Sequence, residues 1–309
     1  MERIIDLGVY PVDRFLGCLL RDKTTKKNII FATGAYDGFS ETDEITEEAL
    51  RSLNNLDIQP RVAKARQEQQ ERTRQKAEVF TPSWICNKMN NHCDEEWFGR
   101  SGVFNYEKDQ SWEVNPEKVE FAESDGWKAY VDSRRLEITC GEAPYIVSRY
   151  DAASGEAIDI DRRIGILDRK LRIVNENTQT EEDWIAWAAR AYQSVYGYEF
   201  QGDNLLIARI NLLMSYVDYY QARWHKEPEK SELSNIVNII VWNLWQMDGI
   251  TGTLPYTQPK EEDMQVAMSL DIFADLAPKT DEEEPEETDC IIYDWRARAP
   301  VKYSQLKEK

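Results

Sequence analysis

Apolar and polar positions follow two different rhythms along this chain. Leu136-Glu137-Ile138-Thr139-Cys140 alternates with the two-residue period of a strand and is broken by Gly141-Glu142-Ala143-Pro144. Val195-Tyr196-Gly197-Tyr198-Glu199 reads as a second short strand that ends in an acid. Helical spacing appears elsewhere. Trp184, Trp187, Ala188 and Ala191 fall on one face of a helix capped by Thr180, and Asp203 to Leu213 is strongly amphipathic. Tyr145 to Tyr150 predicts the start of a helix. Ser40-Glu41-Thr42-Asp43 predicts a capping box ahead of a helix through Ala49-Leu50, while Thr81 or Ser83 predicts the cap of a helix through Cys86 to Met89, with Pro82 in its first turn. Ile236 to Trp242 is a further apolar run that leads into Asn243 to Ile250. Alternating strand, loop and helix makes α/β the expected fold class.

Charge changes this picture in three places. Lys and Arg number 38 against 57 Asp and Glu, a net charge of −19 that opposes nucleic-acid binding over the whole surface. The stretch Arg61 to Lys76 is rich in helix formers with few apolar anchors and reads first as a solvated helix or linker, with a local basic patch able to face phosphate as the sharper alternative. Residues 260–289 are acidic and read as a solvated loop. No run of about 18 apolar residues suggests a membrane span, and the first residues lack the pattern of a secretory signal, so a cytoplasmic protein without membrane contact is expected. Five cysteines without C-x-x-C spacing read as free thiols rather than a disulfide framework or zinc site.

Three acids stand at the ends of predicted strands: Glu137 before a glycine turn, Glu199 before a helix and Asp248 before Gly249. In an open α/β sheet, ligands bind beyond the carboxyl ends of the strands, where acids accept hydrogen bonds from ribose hydroxyls or an adenine amine. This order of acids suits a nucleoside-bearing cofactor, with Glu199 as the natural ribose acid.

The order of these elements, with Phe80-Thr81-Pro82 ahead of them and Gly197-Tyr198-Glu199-Phe200 and Ala208-Arg209-Ile210-Asn211-Leu212 among them, resembles the S-adenosylmethionine half of gamma-type adenine-N6 DNA methyltransferases. Those enzymes are modification subunits of restriction-modification systems. The resemblance covers roughly residues 70–255 and implies a Rossmann-like sheet. It assigns Phe80, Thr81 and Pro82 to the cofactor's methionine part and Glu137, Cys140, Gly141 and Ala143 to the glycine turn. Glu199 with Phe200 falls to the ribose, and Asp248 with Gly249 to the adenine. The implied organisation is an N-terminal extension over 1–75, a cofactor-binding core over 76–259 with an insertion near 150–192, the acidic loop, and a C-terminal strand and tail over 290–309.

Three departures qualify the resemblance. Ala143 replaces a glycine and suits close backbone approach only with a negative φ. Glu137 and Glu199 are 62 positions apart, against roughly 20 in a compact dinucleotide fold, which the insertion would explain. No Pro-Pro dipeptide occurs, so the N-P-P-Y loop that the family uses on a flipped adenine is missing, and Leu254-Pro255-Tyr256 is the nearest fragment. No catalytic residue is therefore assigned. The expectation is a cofactor-binding subunit that needs a second polypeptide for the catalytic loop and for recognition of double-stranded DNA. That partner would be met through exposed apolar residues such as Ile291, Ile292, Tyr293 and Trp295. The alternative is a catalytically inactive methyltransferase-like accessory protein of a restriction or phage-defence complex.

Overall fold

Three short parallel strands organise the chain. The computed structural model describes residues 4–53, 58–63, 81–257 and 289–307. Phe80, most of the basic stretch and all of the acidic loop except Asp289 therefore lie outside the described residues. Strand β4 (Val195–Glu199) is central, with β3 (Arg135–Glu137) on one side and β5 (Leu244–Gln246) on the other. Leu136 is level with Tyr196, and Tyr198 with Trp245. Parallel neighbours need crossovers, and each is a helix pair here: α5 (Ile166–Asn177) and α6 (Glu181–Gln193), then α7 (Gly202–Trp224) and α8 (Lys230–Asn243). The protein is a mixed α/β fold.

The helices follow from local chemistry. Thr180 Oγ1 accepts the Asp183 N–H at 3.2 Å, three acids occupy the first turn of α6, and Trp184, Ala188, Ala191 and Tyr192 bury one stripe. Helix α7 is buried almost all round, as a helix at the centre of a fold must be. Its side chains join those of α1 (Val12–Leu19) and α8 in one core that runs from Ile5 to Leu244, so the first sixty residues contribute to the main core. Each fully buried Leu, Ile or Phe there contributes roughly 1.5–3 kcal/mol.

Alternation in the sheet separates its two faces. Val195 and Leu244 join the helical core, whereas Tyr198 and Trp245 join a smaller cluster with Met247, Cys290 and Ile292. The hairpin of β6 (Ile291–Asp294) and β7 (Ala299–Lys302) covers that second face. A second hairpin, β1 (Asn105–Lys108) with β2 (Ser111–Val114), and helix α4 (Gly126–Asp132) precede β3 in the chain. Among the described residues no helix is long and apolar enough to cross a membrane.

Several expectations need correction. Tyr145 to Tyr150 forms no helix but a series of turns leading to a bridge between Tyr150 and Ala157. Helix α2 (Glu47–Ser52) is capped by Thr46, whose Oγ1 accepts the Ala49 N–H at 3.0 Å; Ser40 and Asp43 close a separate turn. Helix α3 (Ser83–Phe98) is capped by neither Thr81 nor Ser83. Asp151 Oδ2, distant in sequence, accepts the Ser83 N–H at 2.8 Å. The terminal apolar residues are not exposed. Ile292 is buried and Ile291, Tyr293 and Trp295 are half-buried, because Tyr293 packs on Trp242 and Trp295 donates to Asn243 Oδ1.

Candidate functional site

Parallel pairing sends the carboxyl ends of all three strands to one edge. Glu137 is the last residue of β3, Glu199 the last of β4, and Asp248 lies two residues beyond β5. Glu199 is buried and doubly anchored: Oε2 accepts the Gly141 N–H at 2.8 Å and Oε1 the Gln201 N–H at 3.0 Å. Asp248 Oδ1 accepts the Ile250 and Thr251 N–H groups at 2.8 and 3.3 Å, a local turn that fixes the carboxylate at the rim. Gly249 is needed there for space, since a Cβ would come within 2.9 Å of the Tyr198 ring.

Glu137 is the most perturbed of the three. Burial pushes its carboxyl well above the usual range, the Glu199 charge adds to that, and the Tyr145 and Ile146 backbone N–H groups pull the other way. Its Oε2 is sealed from solvent and has no hydrogen-bond partner among the described residues. This oxygen keeps unused acceptor capacity, as do Asp22 Oδ1 and Asp168 Oδ1 elsewhere among the described residues.

The turn between β3 and the next helix wraps over the end of β4. Cys140 N–H donates to Tyr198 O at 2.8 Å, extending the parallel ladder past the end of β3, and Gly141 then presents its N–H to Glu199. Thr139, Gly141 and Ala143 have φ values of 47, 54 and 64°. The condition for Ala143 thus fails: it is fully buried in the left-handed region, where a non-glycine residue is strained by about 1–2 kcal/mol. Cys140 is buried, with its thiol pushed well up by desolvation, and serves packing; its Sγ would lie 3.1 Å from a Cβ added at Gly197. Glu142 points away from the edge, accepting the Arg61 N–H at 2.7 Å and the Tyr150 hydroxyl at 2.6 Å.

Thr81 and Pro82 reach this region from far away in sequence. Cys86 Sγ donates to Thr81 O, the Thr81 side chain acts on Tyr145 and favours its charged form, and Glu137 raises the pKa of both Cys86 and Tyr145 after desolvation. Thr81 therefore sits beside the turn that follows β3. Phe200, half-buried, meets Tyr256 edge-on at 5.5 Å, and the Tyr256 hydroxyl donates to Glu41 Oε2 at 2.6 Å.

No known protein family, characterised protein or solved structure matches this chain. Geometry alone must therefore carry the assignment. The structure brings together Thr81, Pro82, Glu137, Cys140, Gly141, Ala143, Glu199, Phe200, Asp248 and Gly249 around one sheet edge, while Phe80 lies outside the described residues. Sequence reasoning missed Tyr145, Gln201, Glu41 and Tyr256. Only Tyr256 carried a signal, in the Leu254-Pro255-Tyr256 fragment.

Proposed function

We propose that this chain binds S-adenosylmethionine at the carboxyl edge of its parallel sheet and is the cofactor-binding subunit of an adenine-N6 DNA methyltransferase of a restriction-modification system. The observation that carries this reading is the convergence of three strand-end acids and a strained glycine-containing turn at that edge. The residues present fit the cofactor: Glu137 offers a buried carboxyl oxygen without a partner among the described residues, which a cationic amino group would draw into its charged form, and Glu199 is an anchored acceptor suited to ribose hydroxyls. Asp248 would accept from the adenine amine, and Thr81 with Pro82 would border the methionine part. When bound, the cofactor supplies an electrophilic methyl group on sulfonium. This chain's own task is to hold it rigidly, because correct positioning carries much of the barrier reduction in group transfer.

The sequence contains no N-P-P-Y tetrapeptide. Orientation of a flipped adenine, and the basic surface that grips DNA, therefore fall to a second polypeptide in this reading, with the double-stranded DNA contacted through the complex. The same absence favours one alternative, an inactive accessory protein that keeps the fold to assemble a restriction or phage-defence complex. Calorimetric titration with S-adenosylmethionine separates them. Saturable binding weakened by Glu199→Ala supports the proposal; no heat at about 1 mM ligand, where even a weak site of about −4 kcal/mol half-fills, overturns it.

A further inference from the structure

The long segment between Glu137 and Glu199 contributes one wall of a second concavity, separate from the sheet edge. A cavity of about 490 Å³ lies between the β1–β2 hairpin, helix α5 and the last turns of α7. Its lining includes five arginines and three acids, a positive balance within a chain of net charge −19. Most of the lining arginines stand over aromatic rings: Arg162 over Trp112 at 5.6 Å, Arg163 over Tyr219 at 5.9 Å and Arg172 over Phe104 at 5.7 Å.

Hydrogen bonding sorts the arginines into structural and available groups. Arg169 is consumed by Asp94, Ile164 O and two asparagines, and Arg172 by Glu176, Phe104 O and Glu117 O. Arg163 is different. Its side chain is 8% exposed, Nη2 donates to Asp218 at 2.6 Å and Nε to Ile158 O, yet Nη1 has no partner among the described residues. Arg223 donates from Nη2 to Thr178 O at 3.2 Å and leaves Nε without a partner among the described residues. Arg162 is exposed at the mouth, and its guanidinium makes no hydrogen bond or ion pair among the described residues. Glu176 is engaged by Arg172 and the Val119 N–H, and Asp168 Oδ2 by Ser148 and Gly165, while Asp168 Oδ1 has no hydrogen-bond partner among the described residues and its charge acts on Arg163. Asp161 is exposed at the mouth beside Arg162.

Under-used guanidinium groups beside aromatic faces suit an oxyanion attached to a flat ring. Guanidinium recognises phosphate through paired N–H donors, and a base gains roughly 1–3 kcal/mol by stacking on an aromatic side chain. We infer that this cavity binds a mononucleotide, with the phosphate at Arg162 and Arg163 and the base against Trp112. The surrounding negative charge of the chain disfavours a duplex, whose many phosphates would need a broad basic surface.

Uridine 5′-monophosphate is the test ligand, because it lacks the adenosine that the sheet edge would take. The full chain should bind it by calorimetry, uridine without phosphate should bind at least about tenfold more weakly, and Arg162→Ala should weaken the nucleotide by about tenfold or more. Arg162 is exposed, so the variant should fold like the parent, and Arg162→Lys should recover part of the affinity. Glu199→Ala should leave this binding unchanged. Four outcomes overturn the inference: no binding at about 10 mM nucleotide, affinity unaltered by Arg162→Ala, loss through Glu199→Ala instead, or tighter Arg162-dependent binding of a short duplex than of the mononucleotide.

Discussion

The two ends of helix α7 are built for opposite partners. Its amino end abuts the sheet edge, where Glu199, Asp203 and the orphaned oxygen of Glu137 gather acceptors among backbone N–H groups. Its carboxyl end, about 33 Å away at 1.5 Å per residue, borders arginines stacked on aromatic rings. Acids at the first end act as acceptors of hydrogen bonds in a strained turn, whereas the arginines at the second are partly fold and partly spare donors. A buried charge is structural where every donor is matched, as at Arg169, and a candidate for binding where one is left over, as at Arg163. Net charge of the chain hides this division.

The largest effect that tests this contrast is at the arginine end. Asp94→Ala strands the fully buried Arg169 and should cost about 3–5 kcal/mol, seen as a lowered urea midpoint. Survival of the variant at parental stability would mean that the arginine network is not structural. Gly202→Ala comes next, at the acid end. Its Cβ would fall 2.0 Å from Ile30 O, so the N-terminal segment must shift, at about 1–3 kcal/mol or more. A crystal structure or thermal melt of the variant shows whether that seat is as tight as the geometry says.

Glu137→Gln separates burial from binding through pH. Because the folded-state carboxyl titrates above the ordinary value of 4.5, its contribution to stability is present at low pH and is lost as pH rises through the elevated pKa. Denaturant melts should therefore show the variant gaining on the parent progressively as pH rises above 4.5, with the smallest gain at acid pH. A difference independent of pH would place Glu137 in a solvated site. The smallest effect is at the rim: Asp248→Ala should weaken S-adenosylmethionine by about 1 kcal/mol, a change resolved by calorimetry against the parent.

Much of the sheet was legible in the chain, for reasons visible in particular residues. Val195 to Glu199 forms β4 with the predicted ends, because a buried central strand between polar breaks leaves little freedom. Thr180 caps α6 as its spacing predicted. The helix predicted from Asp203 to Leu213 starts one residue earlier and continues to Trp224, since its later turns bury tyrosines that do not follow a simple apolar stripe. Helix α5 was obscured by Arg169 and Lys170, which are buried and break its amphipathic pattern. Lys170 is satisfied by the Ser133 carbonyl and the Ser194 hydroxyl, partners 37 and 24 residues away that no local rule identifies. The strand-end acids of the site were readable because turn residues follow them. Thr81 beside Tyr145, Asp151 over Ser83 and the φ of Ala143 were not, because they arise from contacts between segments distant in sequence.

Amide hydrogen exchange with and without S-adenosylmethionine tests the central claim most directly. The acid edge is the cofactor site in this account, so ligand should slow exchange at Cys140, Gly141 and Gln201 and leave residues 219–223 unchanged. Protection confined to the carboxyl end of α7, or no protection at a ligand concentration that saturates calorimetric binding, would contradict it.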